Sequence, residues 1–469
     1  MFNENYSSMK TETQQKLKYL AADFLSANIA MLLFNVFRYY GKPLVVQGFY
    51  SLDAFLLSPM VLFGQVVFPI FMVGLCYLAA GYDYMFRRSR TLELTMSLAA
   101  SFVGALVVFF TILINDLTLE RSRDYTLILI LFGFLFLLIS IPRIVITWRV
   151  NNRIWRGEIS FPTAIVGYSS APHLYDELIA RISKTSGIKP VAFVDADTES
   201  IEEGVLKCRD KNVERIIAIP HPDGWDRTLL LINSLFEYQL PIFISAEDIP
   251  PYIFNSRLQG LVEEPFIDVT LSKMSQGTLH IKRLLDILIS ALALIVVFIP
   301  MLFAALAVKI DSKGPIFYLQ RRVGLHGRCF NIIKLRTMKV NAEPNGPQLS
   351  HPGDSRVTKI GRVFRKYRID EIPQLINIFL GDMSLVGPRP ERPEFVEEMR
   401  RINPATTLIS RVRPGLTSLG MVRYGYASDI SGMIRRLQYD LLYLENMSLL
   451  TDFKIILYTI YTVLSGKGV

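Results

Sequence analysis

Hydrophobic residues in the first third of the chain collect into four long runs. They span Leu20–Tyr40, Leu56–Ala80, Leu94–Ile114 and Thr126–Thr147. Each run approaches the roughly 20 apolar residues that a helix needs to cross the core of a bilayer. A buried bundle in a water-soluble protein is the alternative, but four consecutive runs of this length favour transmembrane helices. The pattern therefore predicts a membrane α-helical bundle of four transmembrane helices over residues 1–150.

Basic residues flank these runs unevenly. They concentrate before the first run, between the second and third and after the fourth, at Lys10, Lys16, Lys18, Arg87, Arg88, Arg90, Arg149, Arg153 and Arg156. Because basic flanks stay on the cytoplasmic side, both ends of the bundle are expected to face the cytoplasm. Inside the runs, Asp23 and Gln65 are the polar candidates. So few ionisable residues favour an anchor over a transporter, and Asp23, near the predicted cytoplasmic end, is assigned no site.

Residues 151–270 have the pattern of a water-soluble domain. Short apolar runs (TAIVG, KPVAFVD, RIIAIP and PIFISA) alternate with amphipathic stretches, which predicts a Rossmann-like α/β domain with parallel strands. The loop after the first strand, GYSSAP from Gly167, lacks the G-x-G-x-x-G pattern of a dinucleotide site. Asp195 ends the second strand, where it would hold a ribose, but without the glycines we interpret it as a strand-end residue. This domain is therefore predicted to be regulatory or structural.

A fifth apolar run covers Leu284–Val308 and is also long enough to span. Basic residues precede it at Lys282 and Arg283 and follow it from Lys309 onward, which favours keeping both ends in the cytoplasm. Pro300 lies inside the run, where it removes a helical hydrogen bond and bends the helix. We therefore predict a kinked re-entrant membrane helix over residues 284–308, with a straight fifth crossing as the alternative.

Composition excludes several classes of protein. The chain has 469 residues, is 51% hydrophobic and carries a net charge of +9. It is too apolar for a disordered chain and has too few glycines for collagen. Its three cysteines, at Cys76, Cys208 and Cys329, show no metal-ligand spacing and indicate a reducing compartment.

Positive charge is concentrated between Gln320 and Ile369. This segment has twelve basic side chains, and its acidic side chains are only Glu343 and Asp354. The net positive charge of the segment therefore exceeds that of the whole chain. A surface facing anionic lipid is one explanation. Glycines and phenylalanines interleave with the charges, however, which equally indicates a folded pocket for an anion. Single-stranded nucleic acid would suit such a surface, but the neighbouring membrane segment favours phosphates of a lipid and a soluble co-substrate.

Two adjacent carboxylates, Asp370 and Glu371, end this basic segment. Pro373 suits the first turn of a helix with the body PQLINIFL, and Gly381 is a plausible stop. The dyad is therefore expected at a helix N-terminus, where backbone N–H groups favour a phosphate. Adjacent carboxylates repel unless a cation shares them, which implies Mg²⁺ if both are ionised. A helix cap is the alternative explanation.

Ordered motifs over the last 190 residues resemble one family. They are KRLLD, SKGPIFYLQRRVG, KLRTM, DSRVTKIGR, IDEIPQLIN, GDMSLVGPRPE, RPGLTS and YDLLYLENMSLLTDFKI. The segment Ile281–Val469 thereby resembles the bacterial sugar transferases, the polyprenyl-phosphate phosphoglycosyl transferases with a monotopic catalytic core, and the catalytic domain is predicted over residues 271–469. The resemblance implies a mainly α catalytic domain with a re-entrant helix. The upstream bundle and α/β domain resemble those of the long-form members.

The resemblance implies transfer of a sugar-1-phosphate from a UDP-sugar to undecaprenyl phosphate, which initiates a capsule, exopolysaccharide or O-antigen. In the family the aspartate of the dyad is the nucleophile, here Asp370, and Glu371 would bind Mg²⁺. The resemblance also implies a location. The chain would cross the bacterial inner membrane several times, with the catalytic domain in the cytoplasm. The candidate phosphate-binding residues are Arg322, Lys334, Arg336, Arg356, Arg365, Arg368 and Arg389.

One segment departs from the family pattern. Many relatives follow the Pro-Gly-x-Thr motif with a Gly, a tryptophan-containing stretch and Gln-Val, whereas this chain has SLGMVRYGYA at Ser418–Ala427. The sugar is therefore not carried over, and the sequence does not specify whether the chain forms a homo-oligomer. Two alternative hypotheses compete with the transferase function. One is a catalytically vestigial membrane scaffold or sensor for polysaccharide assembly, and the other is a nucleotide-gated transporter.

Overall fold

A computed structural model describes most of the chain. The described residues are 6–41, 48–86, 88–113, 121–182, 187–221, 224–238, 240–245, 266–268, 274–340, 342–343, 346, 348–349 and 354–464. Some predicted features lie outside them: Arg87 in the basic flank before the third apolar run, Ile114 at the end of that run, and residues 246–265 in the α/β region.

The predicted apolar runs form long helices. The N-terminal elements are α1 (Tyr6–Gly41), the short α2 (Leu52–Leu56), α3 (Pro59–Leu78), α4 (Arg90–Val108) and α5 (Arg121–Trp155). Within the described residues, α1, α3, α4, α5 and a fifth helix at Gln276–Asp311 are long and apolar enough to cross a membrane. The predicted run Leu56–Ala80 is interrupted near its start, because Ser58 and Pro59 begin a new helix.

The four long N-terminal helices pack on a shared apolar core. Phe34 of α1, Met72 of α3 and Leu131 and Leu135 of α5 are buried in it. Gly104 of α4 lies at a close approach of two helices, because a Cβ atom there would force the side chain of Met72 to shift. The outward faces of these helices expose many leucine, valine and phenylalanine side chains, as expected of surfaces that face lipid.

A buried ionic cluster joins these helices, which corrects the expectation of a bundle almost without ionisable residues. Arg143 of α5 lies 2.5 Å from Asp23 of α1 and 2.8 Å from Glu93 of α4. Arg88, before α4, lies 2.8 Å from the other oxygen of Glu93. All four side chains are at most 2% exposed. Two positive and two negative charges from different helices offset one another's desolvation, so the bundle holds ionisable groups that no single run reveals.

An α/β region follows the bundle. Its elements are β1 (Phe161–Gly167), α6 (Pro172–Ile182), β2 (Ile188–Asp195), α7 (Ile201–Asp210), β3 (Arg215–Ala218), α8 (Trp225–Leu235), β4 (Ile242–Ser245) and β5 (Phe266–Asp268). The sheet order is β2-β1-β3-β4-β5, with parallel pairing among the first four strands and antiparallel pairing of β5. The four predicted strands are confirmed. Separate apolar clusters cover the two faces of the sheet, since alternate strand residues point in opposite directions.

Asp195 is engaged by the neighbouring loops. Its carboxylate accepts hydrogen bonds from the backbone N–H of Ser169 at 3.1 Å and the hydroxyl of Thr198 at 2.7 Å. Although burial raises its pKa, these hydrogen bonds lower the pKa of Asp195 to about 2. The next N–H, that of Ser170, donates to Asp197. The first βα loop therefore directs its N–H groups at the protein's own carboxylates, in agreement with the interpretation of Asp195 as a strand-end residue.

The C-terminal region is built on the fifth long helix, α9 (Gln276–Asp311). After it come β6 (Phe317–Val323), β7 (Cys329–Leu335), α10 (Lys359–Lys366), α11 (Gln374–Leu380), β8 (Ser384–Val386), α12 (Pro393–Ile402), β9 (Gly415–Thr417), α13 (Leu419–Arg423), α14 (Ile430–Glu445) and α15 (Leu449–Leu464). β6 and β7 form an antiparallel hairpin, and β8 pairs in parallel with β9.

The helix α9 contacts the rest of the C-terminal region near both of its ends. Near its start, Lys282 lies 2.5 Å from Asp452 of α15, and Asp286 accepts a backbone hydrogen bond from Leu385 at 3.0 Å. Near its end, Asp311 accepts the backbone N–H of Ile360 at 3.0 Å. The opposite face is apolar and exposed. The helix is continuous through Pro300, and the re-entrant kink there stays a prediction.

Candidate active site

The backbone turns sharply between the end of α10 and the dyad of Asp370 and Glu371. Arg368 adopts a left-handed backbone conformation with φ of +54°, and a single 3₁₀ turn, Ile369–Glu371, follows it. The helix α11 begins three residues after Glu371 and ends at Leu380, and the capping residue Gly381 has a φ of +105°. This turn buries Asp370 and Glu371 just ahead of α11, in agreement with the predicted position and stop.

Three cations surround the Glu371 carboxylate. Lys334 of β7 lies 3.5 Å from it, Arg368 3.6 Å and Arg389 3.7 Å. Burial alone would raise the pKa of Glu371, but Lys334, Arg389 and Arg368 together lower it to about 2. Glu371 is therefore a permanent anion held by residues from three segments of the chain.

Asp370 has the opposite electrostatic environment. Burial, followed by the negative charge of Glu371, raises its pKa to about 6, while the charges of Lys334 and Arg365 act against the rise. At neutral pH this carboxylate is mostly ionised and only weakly stabilised. A buried anion with few close partners is a suitable nucleophile, and two adjacent carboxylates with separated pKa values are typical of a reaction centre.

The structure brings together three of the seven predicted phosphate-binding residues around Glu371, namely Lys334, Arg368 and Arg389. A fourth, Arg365, donates a hydrogen bond to Thr337 at 2.9 Å and affects the pKa of Asp370 electrostatically. These four cations exceed the two carboxylates in charge. The surplus would attract a diphosphate.

The other three candidates have partners elsewhere. Arg322 donates to the carbonyl of Pro390 at 3.0 Å and to the side chain of Gln320 at 2.6 Å. Arg336 donates to the carbonyl of Ser312 at 2.6 Å, at the end of α9, and Arg356 pairs with Asp354 through two nitrogens. These contacts fix neighbouring loops. A role of the three arginines in phosphate binding stays a prediction.

Tyr426 is an active-site residue that the motifs did not identify. Its hydroxyl lies 3.3 Å from a carboxylate oxygen of Glu371, and its ring lies under the guanidinium groups of Arg368 and Arg389. It falls in the segment Ser418–Ala427 that departs from the family pattern. That departure was the available sequence signal, but it did not single out one side chain.

A buried polar network supports Arg389 from behind. Asp440 of α14 accepts the backbone N–H of Gly420 at 2.9 Å and that of Arg389 at 3.4 Å. Arg436, one turn earlier, pairs with Glu391. Burial raises the pKa of Asp440 to about 6. Through these bonds α14 fixes the backbone of the GPRPE segment that carries Arg389.

A cavity of about 220 Å³ lies beside this segment. Its walls include Gly324 from the β6–β7 hairpin, Thr407 and Ser410 from the 3₁₀ segment Pro404–Arg411, and Arg389. Hydroxyl and backbone groups therefore lie next to an arginine that also approaches the dyad.

The dyad suits Mg²⁺ held jointly with a ligand. Among the residues that the structure describes, no group of three or more His, Cys, Asp or Glu side chains forms a complete protein cage for a metal. Mg²⁺ usually keeps several waters and binds through one or two carboxylates together with substrate phosphates. Asp370 and Glu371 provide such carboxylates, and the surrounding arginines favour the phosphates, so the donor set fits.

Comparison with known proteins identifies the family of the C-terminal region. A family model described as "Bacterial sugar transferase" matches residues 277–466. The UDP-N-acetylgalactosamine-undecaprenyl-phosphate N-acetylgalactosaminephosphotransferase of Aeromonas hydrophila is 44% identical over 189 residues, which are 40% of this chain and 44% of that protein. A UDP-glucose:undecaprenyl-phosphate glucose-1-phosphate transferase of Klebsiella pneumoniae is 35% identical over 270 residues, 57% of this chain and 58% of that protein.

The chain thus spans about half the length of these two relatives. A third relative is covered further: a UDP-glucose:undecaprenyl-phosphate glucose-1-phosphate transferase of Caulobacter vibrioides is 42% identical over 189 residues, 39% of this chain and 70% of that protein. The region matched by the family model contains α9 from its second residue, the dyad, its cations and Tyr426. On these matches and motifs, the chain belongs to the bacterial sugar transferase family.

Proposed function

We propose that the protein transfers a sugar-1-phosphate from a UDP-sugar to undecaprenyl phosphate and so initiates a surface polysaccharide. The observation that carries the proposal is the buried pair of Asp370 and Glu371 with Lys334, Arg368 and Arg389 around it. Both substrates bear phosphates, and a site with surplus positive charge can hold two anions that otherwise repel. The names of the relatives support the same donor and acceptor classes.

The proposed reaction has two displacements at one phosphorus. A carboxylate oxygen of Asp370 attacks the sugar-bearing phosphorus of the donor, a new O–P bond forms, and the bond to the bridging oxygen breaks as UMP leaves. A phosphate oxygen of the lipid then attacks the same phosphorus and displaces Asp370. No proton is consumed in either step. The covalent aspartyl intermediate replaces one encounter of two anions by two easier steps.

Mg²⁺ would be held by Glu371, with Asp370 close by, and would supply charge stabilisation of the phosphoryl oxygens. Residues of the chain would bind the phosphate oxygens and keep the two carboxylates ionised. Arg368 and Arg389 can each offer a guanidinium fork to phosphate oxygens. Lys334 keeps Glu371 ionised and lowers the pKa of Asp370, which keeps the nucleophile available at neutral pH.

The packing of α9 supports a catalytic region at one membrane surface. At 1.5 Å per residue, the 36 residues of α9 extend about 54 Å, more than a bilayer core. A straight crossing would carry one end to the far side, yet Lys282 near the start and Asp311 at the end both contact the same region. The exposed face, with Leu292, Ile295 and Phe303, then enters the lipid while the ends stay in the cytoplasm.

The remaining architecture belongs to the same proposal. Four helices of the bundle cross the inner membrane of a bacterium with both ends cytoplasmic, and the middle sheet is a Rossmann-like domain with a regulatory or structural role. The exposed apolar side chains of α15, among them Phe453 and Leu457, offer a further surface to lipid in this proposal.

The deciding experiment measures product formation by the full chain in nanodiscs. We expect release of UMP and labelled lipid from undecaprenyl phosphate, Mg²⁺ and at least one member of a panel of UDP-sugars. Asp370→Asn should abolish turnover and covalent labelling by donor labelled in the sugar. Glu398→Gln, which neutralises an exposed carboxylate on α12, is the matched control and should leave both unchanged.

The competing function is a vestigial scaffold or sensor for polysaccharide assembly. It predicts binding of undecaprenyl phosphate without UMP release from any donor. Retained turnover in Asp370→Asn would instead reject the nucleophile while leaving the transferase activity intact.

A further inference from the structure

The segment after α13 delivers one aromatic ring into the active site. The helix ends at Arg423, and Gly425 adopts a φ of +89°, a conformation that residues with a Cβ rarely adopt. The two flanking tyrosines therefore go to different places. Tyr424 lies near Arg435, with 5.8 Å between ring centroid and guanidinium carbon, whereas Tyr426 lies at the dyad.

Tyr426 contacts two cations at once. The guanidinium carbons of Arg368 and Arg389 lie 5.0 Å and 4.9 Å from its ring centroid, within the range of cation–π attraction. The residue is 37% exposed, so Tyr426 is not sealed in the interior. One aromatic ring thus holds two like charges that would otherwise repel each other.

The two arginines do not form close ion pairs with the nearby carboxylate. Their nitrogens lie 3.6 Å and 3.7 Å from Glu371, whereas a charge-assisted N–H···O bond is about 2.7–2.9 Å long. The attraction of each guanidinium group to the ring competes with its attraction to Glu371. Each guanidinium group therefore lies between the ring and the carboxylate. The guanidinium groups therefore retain donors for another anion.

We propose that Tyr426 is a positioning residue that acts as a spacer between the arginines and the dyad. Its ring keeps Arg368 and Arg389 from collapsing onto Glu371, so that they remain available to the diphosphate of the donor. This inference rests on the proposed function, because it takes a nucleoside diphosphate as the ligand. Without the ring, the two arginines would pair closely with Glu371, and phosphate would have to break those pairs before binding.

The test is UDP binding measured by calorimetry on the full chain in nanodiscs, with a chelator present so that no metal contributes. Tyr426→Leu should weaken UDP binding about tenfold, which corresponds to about 1.4 kcal/mol. Tyr426→Phe keeps the ring and loses only the hydroxyl, so its dissociation constant should stay within about twofold of wild type. In turnover assays, Tyr426→Leu should raise the KM for the donor more than it lowers kcat.

Tyr424→Leu is the matched control. Tyr424 comes from the same segment and is equally exposed, but its ring lies beside Arg435. This variant should bind UDP as wild type does. If Tyr426→Leu fails to fold, Gly425→Ala replaces it: a Cβ there meets no atom within 4 Å, so the substitution only strains the backbone that places the ring. It should weaken UDP binding in the same direction.

Unchanged UDP binding in Tyr426→Leu would overturn the proposal. An equal loss in Tyr426→Phe and Tyr426→Leu would also overturn it, because the hydroxyl and not the ring would then be responsible. Failure of the wild-type chain to bind UDP both with the chelator and with Mg²⁺ would contradict the proposed function itself. The two kinds of failure are therefore distinguishable.

Discussion

The imidazole of His280 lies 2.6 Å from the carboxylate of Asp83. His280 belongs to the second turn of α9, and Asp83 to the turn that follows α3 of the bundle. The same imidazole lies 4.2 Å from the ring of Tyr77, and Gln276 donates to the hydroxyl of Tyr84 at 2.8 Å. The turn thus connects the membrane bundle to the helix on which the catalytic region is built.

This contact should couple the stability of the bundle to that of the catalytic region. We expect a double-mutant cycle of Asp83→Ala and His280→Ala to give a coupling free energy of about 1 kcal/mol, the typical net contribution of one hydrogen bond. The measurement is the free energy of unfolding in mixed micelles of increasing denaturing detergent. Strictly additive effects would show that the two residues do not stabilise the junction together.

The turn is fixed on its other side by the buried ionic cluster. Arg143 donates to the carbonyl of Gly81 at 2.6 Å, and Tyr82 donates to Asp23 at 2.7 Å. Arg143→Met should therefore be strongly destabilising, by about 3 kcal/mol or more, because it leaves buried carboxylates without their partner. Unfolding in mixed micelles of increasing denaturing detergent measures the loss.

Arg149→Met is the matched control for this substitution. Arg149 lies on the same helix but is exposed, so its replacement should change the free energy of unfolding by less than about 0.5 kcal/mol. Equal losses in the two variants would mean that the cluster contributes no more than a surface charge does.

The sequence predicted the features that local patterns encode. The apolar runs, the four parallel strands and the position of the dyad before α11 each depend on residues close together in the chain. The ionic cluster was missed because its members lie far apart: Arg143 is 120 residues from Asp23 and 50 from Glu93. Each looks like an isolated polar residue until the helices pack.

The candidate site was predictable to a similar degree. The dyad and its cations Lys334, Arg368 and Arg389 followed from motifs and from the concentration of charge. The basic segment did not reveal which of its arginines face the dyad, and Arg356 instead pairs with Asp354. Tyr426 is 55 residues from Glu371 in sequence, and only folding brings its ring to the dyad.

The charge around the dyad predicts the order in which a divalent cation and the donor bind. Lys334, Arg368 and Arg389 oppose a cation at Glu371 until a diphosphate offsets their charge. We expect Mn²⁺, followed by its paramagnetic resonance as a substitute for Mg²⁺, to bind at least about tenfold more tightly when UDP is present, a difference of about 1.4 kcal/mol. UDP alone must be titrated as a blank, since it binds Mn²⁺ in solution. Equal affinity with and without UDP would reject this order.

The separated pKa values of the dyad predict how the first displacement depends on pH. Asp370 must be ionised to attack, and its pKa is raised to about 6, so the rate of covalent labelling should fall about tenfold per unit as the pH drops below that value. Labelling without acceptor is the proper measurement, because the lipid phosphate then contributes no titration.

Lys334→Gln removes a positive charge that lowers the pKa of Asp370, so the acidic limb of this pH profile should move to higher pH. Lys339→Gln, an exposed residue five positions away, should leave the limb in place. A limb that stays fixed or moves to lower pH in Lys334→Gln would show that Asp370 is not the group whose ionisation controls the attack.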